Sequence, residues 1–213
     1  MKKRIALLVY PEFSLQEVAN LIYLFRWYYD TFTDVIYTEF IPVKSEEGIL
    51  VQPIKTCDDF CKEDYDCLIL PGCSDIRKPI RNNKIREFLE KFTDDNSFII
   101  GAICSGPLFL AQAGLLKNRK YTDSLFAEMR ELFTFIEENN FLPQAVVEDG
   151  NIITAEGNAF NDFAAHIARK LGYDCPDKIL SGYIESDDTN AYIHHLTEED
   201  LLDFKNEFQE FLN

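Results

Sequence analysis

Apolar residues in this chain form short unbroken runs, separated by stretches in which they recur every three or four positions. Ile5-Ala6-Leu7-Leu8-Val9-Tyr10, stopped by Pro11, has the continuous apolar pattern of a strand buried on both faces. Leu15 to Tyr28 carries apolar groups at helical spacing. Val35 to Val43 predicts a second strand ending near Pro42, and Ile49 to Ile54 behind Gly48 predicts a short hairpin arm. Cys67-Leu68-Ile69-Leu70 predicts a short strand closed by Pro71-Gly72. Ile80 to Phe92 is an amphipathic helix, Phe98 to Ile103 a buried strand, and Leu108 to Leu116 an apolar helix. After a mixed region from Tyr121 to Leu142, Asp149-Gly150 is a turn pair between Ala145-Val146-Val147 and Ile152-Ile153-Thr154. Phe160 to Leu171 predicts a closing helix with Gly172 as its C-cap.

Strands alternating with helices imply an α/β fold: a doubly wound, mostly parallel sheet with helices on both faces. In such sheets ligands sit beyond the carboxyl ends of the strands, near a switch in strand order. Three strand ends are therefore of interest: Tyr10-Pro11, Pro71-Gly72 and Ile103-Cys104. The rhythm stops at Gly172, which predicts a domain over residues 1–172 and an extension over 173–213. The extension is acidic and irregular through Asp188. It ends in a helix capped by Thr197, with Glu198 and Glu199 in its first turn. Leu201, Phe204, Phe208 and Phe211 recur along that helix, which predicts docking on the core or on a partner subunit.

With 213 residues, 46% of them apolar, the chain can bury a sizeable core. Its net charge of -16 argues against nucleic acid and anionic membrane as partners, since both demand basic patches. No run is long enough to span a bilayer, and the apolar stretch behind Met1-Lys2-Lys3-Arg4 is too short for a signal peptide. A cytoplasmic protein is expected, with its six cysteines as reduced thiols. Cys57, Cys61 and Cys67 have no second ligand pair at finger-like spacing, and Gly101, Gly106 and Gly114 form no phosphate-binding fingerprint. Neither a metal nor a cofactor is expected.

The chemistry concentrates in Ile99-Ile100-Gly101-Ala102-Ile103-Cys104-Ser105-Gly106-Pro107. A buried strand running into small residues, a proline and an apolar helix is the layout of a nucleophile elbow. Cys104 stands at its corner, where the helix offers unpaired N–H groups and a positive dipole end that favour a thiolate.

Ala102-Ile103-Cys104-Ser105-Gly106-Pro107, followed by Ala113-Gly114-Leu115-Leu116, resembles the elbow of the ThiJ/PfpI (DJ-one) family, in the class-I glutamine-amidotransferase-like superfamily. Leu70-Pro71-Gly72 is similar to its first oxyanion strand end, and Glu17 matches its buried acidic residue. The resemblance runs from Arg4 to about Gly172. It implies a flavodoxin-like sandwich, a homodimer, and a Cys104 of lowered pKa sharing a proton with Glu17. It also implies an oxyanion site from the backbone N–H groups of Cys73 and Ser105, next to Gly72. Cys73 itself reads as a filler of the pocket wall or, more sharply, as a resolving thiol for an oxidised Cys104.

Three departures bear on activity. Ser105 stands where protease-like members have histidine, and Asp123 stands where glyoxalase- and deglycase-like members have one. His166 falls on the last helix, and His194 and His195 lie in the extension. A Cys–His pair for peptide cleavage is therefore not evident. A cysteine followed by a small hydroxyl residue and glycine is also similar to the isocyanide-hydratase branch, which needs no histidine but uses aspartate where this chain has Glu17. The expected function is a cysteine-dependent hydrolase, hydratase or lyase on a small-molecule electrophile, with Cys104, Glu17 and Asp123 as the candidate catalytic residues. The alternative is a non-catalytic cysteine oxidation sensor or stress-response protein.

Overall fold

The computed structural model describes residues 4–180, 187, 188, 190 and 193–211. Its elements in chain order are β1 (Arg4–Leu8), α1 (Gln16–Tyr28), β2 (Phe32–Tyr37), β3 (Val43–Lys44), β4 (Leu50–Val51), β5 (Lys55–Thr56), β6 (Cys67–Leu70), α2 (Asn83–Glu90), β7 (Ile99–Ile103), α3 (Gly106–Gln112), α4 (Ala127–Leu132), β8 (Val146–Asp149), β9 (Ile152–Ala155), α5 (Phe160–Lys170) and α6 (Glu198–Glu207). The main sheet has the order β5-β2-β1-β6-β7-β9-β8 and is parallel except for β8, which pairs antiparallel with β9. The run from Ile5 to Tyr10 is buried throughout, as a strand covered on both faces must be. Helices pack as the pairs α1–α5 and α2–α3, and a separate two-stranded arm joins β3 to β4. This is the doubly wound α/β architecture that the pattern predicts.

The sequence order reverses at β1, with β2 on one side and β6 on the other. Registers Leu7 with Ile69, Leu70 with Ala102, and Ile103 with Ala155 bring the ends of β6, β7 and β9 level. The loops behind them therefore share one rim, where Pro71-Gly72, Cys104 and Gly157 meet.

Some boundaries differ from the pattern. The second strand ends at Tyr37, not at Val43: Phe40 and Ile41 are exposed, and Val43 pairs with Val51 in the arm. A short edge strand, β5, adds to β2 by pairing Ile36 with Lys55. The helix expected from Ile80 begins at Asn83, because Asn82 is extended (φ -81°, ψ 97°) and its side chain accepts the Lys84 N–H. The elbow helix stops at Gln112, and Gly114 at φ +80° turns the chain out of it.

The chain divides into two compact units, residues 1–180 and 181–213. In the first, the chain past α5 still packs: Tyr173 stacks on Tyr29 with ring centroids 4.2 Å apart, and Cys175 is buried. Residues 181–186 of the irregular stretch lie outside the described residues. In the second unit, Thr197 Oγ1 accepts the Asp200 N–H at 3.1 Å at the start of α6, as the capping pattern predicts. Leu201, Phe204 and Phe208 on that helix are exposed. No helix among the described residues is long and apolar enough to cross a membrane.

Candidate active site

At the end of β7 the backbone must turn from strand to helix between Ile103 and Gly106. Cys104 takes that turn at φ +59°, a conformation costly for a residue with a side chain. Both of its backbone groups are held there: its N–H donates to the Ala155 carbonyl and its carbonyl accepts the Ser124 N–H, each at 2.9 Å. Gly106 is required one step on, since a Cβ there would lie 2.8 Å from the carbonyl oxygens of Leu70 and Pro71. The strained elbow expected from the sequence is thus present, with Cys104 at its corner and partly exposed.

Glu17 sits in the first turn of α1, on its buried side. Its Oε2 accepts the Gly72 N–H at 2.6 Å, and its carboxylate lies beside the Cys104 sulfur. Two bare backbones make room for this pair. A Cβ on Gly72 would come within 2.7 Å of Cys104 Cβ, 2.8 Å of Glu17 Oε2 and 2.9 Å of Cys104 Sγ. One on Gly157 would come within 3.3 Å of Sγ and 3.4 Å of Glu17 Oε1. Burial drives the Glu17 carboxyl up to about 7, against the opposing hydrogen bonds from Cys104 and Gly72 and with help from the charges of Glu46 and Glu47.

The lowered pKa expected for Cys104 is not what its surroundings produce. Burial and the Glu17 charge push the thiol well up, outweighing the Ser105 N–H and the Ser124 hydroxyl that favour the thiolate. Two anions in this space repel, so the pair holds two protons below about 7 and a single shared one above it.

The remaining candidates fall around this pair in a different arrangement from the one expected. Of the backbone donors, Gly72 N–H is committed to Glu17, and Cys73 N–H donates to Ser105 Oγ at 2.8 Å. Ser105 N–H faces the Cys104 sulfur. Cys73 is buried, and burial pushes its thiol up to about 12 despite the Ser105 hydroxyl, whose oxygen lies 3.7 Å from its sulfur. Asp123 is buried and turned to a cation: its Oδ1 accepts Arg130 Nη1 at 2.7 Å and the Leu125 N–H at 3.0 Å. His166 pairs with Glu148 at 2.6 Å. No group of three or more His, Cys, Asp or Glu among the described residues could hold a metal ion.

Ser124 is the residue that the sequence pattern misses. Its hydroxyl accepts the Gly157 N–H at 2.7 Å and stands near enough to the Cys104 sulfur to favour the thiolate. It lies in the mixed region, where no periodicity marks it. A cavity of about 310 Å³ opens beside the elbow, with Ser105 and Ser124 in its wall and Ile76, Arg77, Leu125, Phe126 and Met129 around it.

Comparison with known proteins bears on the family and the fold. The chain is 29% identical over 134 residues to protein DJ-1alpha of Drosophila melanogaster, covering 61% of this chain and 59% of that protein. It is 23% identical over 180 residues to isonitrile hydratase of Pseudomonas putida (80% of this chain, 73% of the relative). It is 27% identical over 149 residues to deglycase PfpI of Pyrococcus furiosus (70% of this chain, 80% of the relative). The chain spans about half to two thirds of the length of several curated relatives it matches. Among solved structures, a DJ-1 superfamily protein from Agrobacterium tumefaciens superposes with a TM-score of 0.73 at 24% identity, covering 96% of this chain and 98% of that one. The model of the DJ-1/PfpI family matches residues 3–170, which hold the elbow, Glu17, and every strand of the main sheet. By that match and this fold, the chain belongs to the DJ-1/PfpI family.

Proposed function

We propose that the protein is a cysteine-dependent hydrolase, hydratase or lyase acting on a small electrophilic molecule, with Cys104 as nucleophile and Glu17 as proton carrier. The observation that carries this reading is the Glu17 carboxyl placed beside the sulfur of a residue held at φ +59°, next to a cavity. Glu17, poised at about 7, takes the thiol proton without any change in the charge of the pair. The thiolate attacks an electrophilic carbon and forms a sulfur–carbon bond. Glu17 then gives its proton to the atom that received the electron pair. Water breaks the sulfur–carbon bond, and the thiol is restored.

Developing charge on the substrate would be met by the Cys73 N–H, once the Ser105 hydroxyl turns from it, and by the hydroxyls in the cavity wall. The names of two relatives, isonitrile hydratase and deglycase, suit a small electrophilic carbon as the target. Peptide cleavage is not proposed. Asp123 occupies the histidine's place and is engaged by Arg130, so it offers no imidazole to the leaving amine. The reading includes a homodimer, for which the exposed Phe40, Ile41, Ile49 and Leu50 beside and on the β3–β4 arm supply an apolar surface. It includes a reducing, cytoplasmic setting, which suits six unpaired cysteines.

The test is turnover on a panel of carbonyl, amide and isonitrile compounds, with Cys104→Ser as control. Activity lost in the variant is the expected result; activity unchanged by it would overturn the reading. A second reading, oxidation sensing, is favoured by one observation: Cys104 is partly exposed and has a protonatable carboxyl to hold an oxidised sulfur, while Cys57, Cys67 and Cys73 are buried. Selective peroxide oxidation of Cys104 without turnover on any of the panel would select it.

A further inference from the structure

The proton transfer just described leaves a negative charge on sulfur in a partly buried place. Glu17, now protonated, can donate to it, and the Ser105 N–H at the start of α3 favours it. Any further donor must come from another side chain: Asp123, a carboxylate, is bound to Arg130.

Ser124 fills the gap, and four features show how. Its N–H donates to the Cys104 carbonyl at 2.9 Å, which fixes its backbone against the elbow. Its Oγ accepts the Gly157 N–H at 2.7 Å. An oxygen that accepts from an N–H keeps its own hydrogen for a second partner, and the Cys104 sulfur, against which Gly157 packs, lies within its reach. Gly157 can approach so closely only because it lacks a side chain: a Cβ there would stand 3.3 Å from both Cβ and Sγ of Cys104.

The segment is also clamped from behind. Arg130 Nη1 donates to Asp123 Oδ1 and to the Leu125 carbonyl, each at 2.7 Å, while Leu125 N–H returns to Asp123 Oδ1 at 3.0 Å. The guanidinium lies 3.9 Å from the centre of the Phe141 ring, and the side chains of Arg130 and Asp123 are 10% and 1% exposed. Residues on either side of Ser124 are thus pinned by one buried ion pair.

We infer that Ser124 is a catalytic hydroxyl of this site, donating to the Cys104 thiolate, and that the Asp123–Arg130 pair positions it. The inference rests on Cys104 as the nucleophile. No proton leaves Ser124: the thiol proton moves to Glu17, and the serine hydrogen stays on its oxygen and turns to the sulfur. Asp123 accordingly acts through its neighbour and touches no reacting atom.

The test reads the sulfur itself. Alkylation of Cys104 by iodoacetamide is followed by mass spectrometry of its own peptide, from about pH 5.5 to about pH 9, which brackets the Glu17 value. In the unmodified protein the rate should rise through about 7, as the pair loses its first proton, and then level off. Ser124→Ala should lower that plateau about tenfold, the scale of one hydrogen bond to a charged group, and leave the inflection where it is. Ser124→Thr keeps the hydroxyl and should restore the plateau. An unchanged plateau in Ser124→Ala, or a Ser124→Thr variant as slow as the alanine, would overturn the inference.

Asp123→Asn should lower the plateau in the presence of Ser124 and have no further effect in Ser124→Ala, because the clamp works through the hydroxyl. Equal losses in both backgrounds would remove the positioning role. No substrate enters this experiment, so failure of the proposed activity and failure of this inference remain distinguishable.

Discussion

Glu17 concentrates the physics of the site. A carboxyl in the first turn of a helix is ordinarily solvated and helped by the helix dipole. Here it faces inward, between the Gly72 N–H and the Cys104 sulfur, and burial costs the charged form more than those hydrogen bonds return. Its native value of about 7 stands above the ordinary 4.5, so the folded protein holds a proton that the unfolded chain has released between those values. The stabilisation from that proton is fully present below about 4.5 and is lost as pH rises through about 7. Unfolding by urea should therefore show stability falling from about pH 5 to about pH 8, by on the order of 2–3 kcal/mol from this group. Glu17→Gln should lack that component, and a slope unchanged by the substitution would show that Glu17 does not titrate as described.

Among the elements, those with strong apolar runs were legible in the sequence, and those set by single residues or by distant partners were not. β1, β6, β7 and the β8–β9 hairpin follow directly from buried runs and from Asp149-Gly150. The break at Asn82 depends on one side-chain cap, and β5 exists only because β2 offers it an edge. The site divides in the same way. Cys104, Gly72, Cys73 and Ser105 follow strand ends that the pattern marks, Glu17 was legible only through the family resemblance, and the structure brings the five together. Ser124 comes from an aperiodic stretch whose path is set by the Asp123–Arg130 pair, which no local pattern reveals. The seating of α5 on the sheet is a further long-range fact: Gly101 in β7 leaves room for Ile167 and Phe163, and a Cβ there would lie 2.6 Å and 2.8 Å from their side-chain ends. Gly101→Ala should destabilise the protein by about 1–3 kcal/mol through overpacking, read as a lower urea midpoint. A midpoint equal to that of the unmodified protein would mean that α5 does not press on β7 so closely.

For the whole molecule, the doubly wound order explains why these residues share one rim although they come from positions 17, 72, 104, 124 and 157. Parallel strands send every strand-to-helix loop to the same edge, and the reversal at β1 opens a space there. The net charge of -16 makes a polyanionic partner unfavourable and suits a small neutral electrophile. The strain at Cys104 and the burial of Glu17 are both held in place by the surrounding sheet, which is how a small site stores a reactive arrangement.

The central claim is that Cys104 and Glu17 act as one proton-sharing unit. The most direct measurement is the alkylation rate of Cys104 against pH in the unmodified protein and in Glu17→Gln. The account predicts a rise through about 7 in the unmodified protein. It predicts that the glutamine variant loses the levelling above about 7 and that its rate rises with pH throughout, since its amide does not titrate and the Glu17 charge no longer holds the thiol up. Superimposable profiles for the two proteins would contradict it.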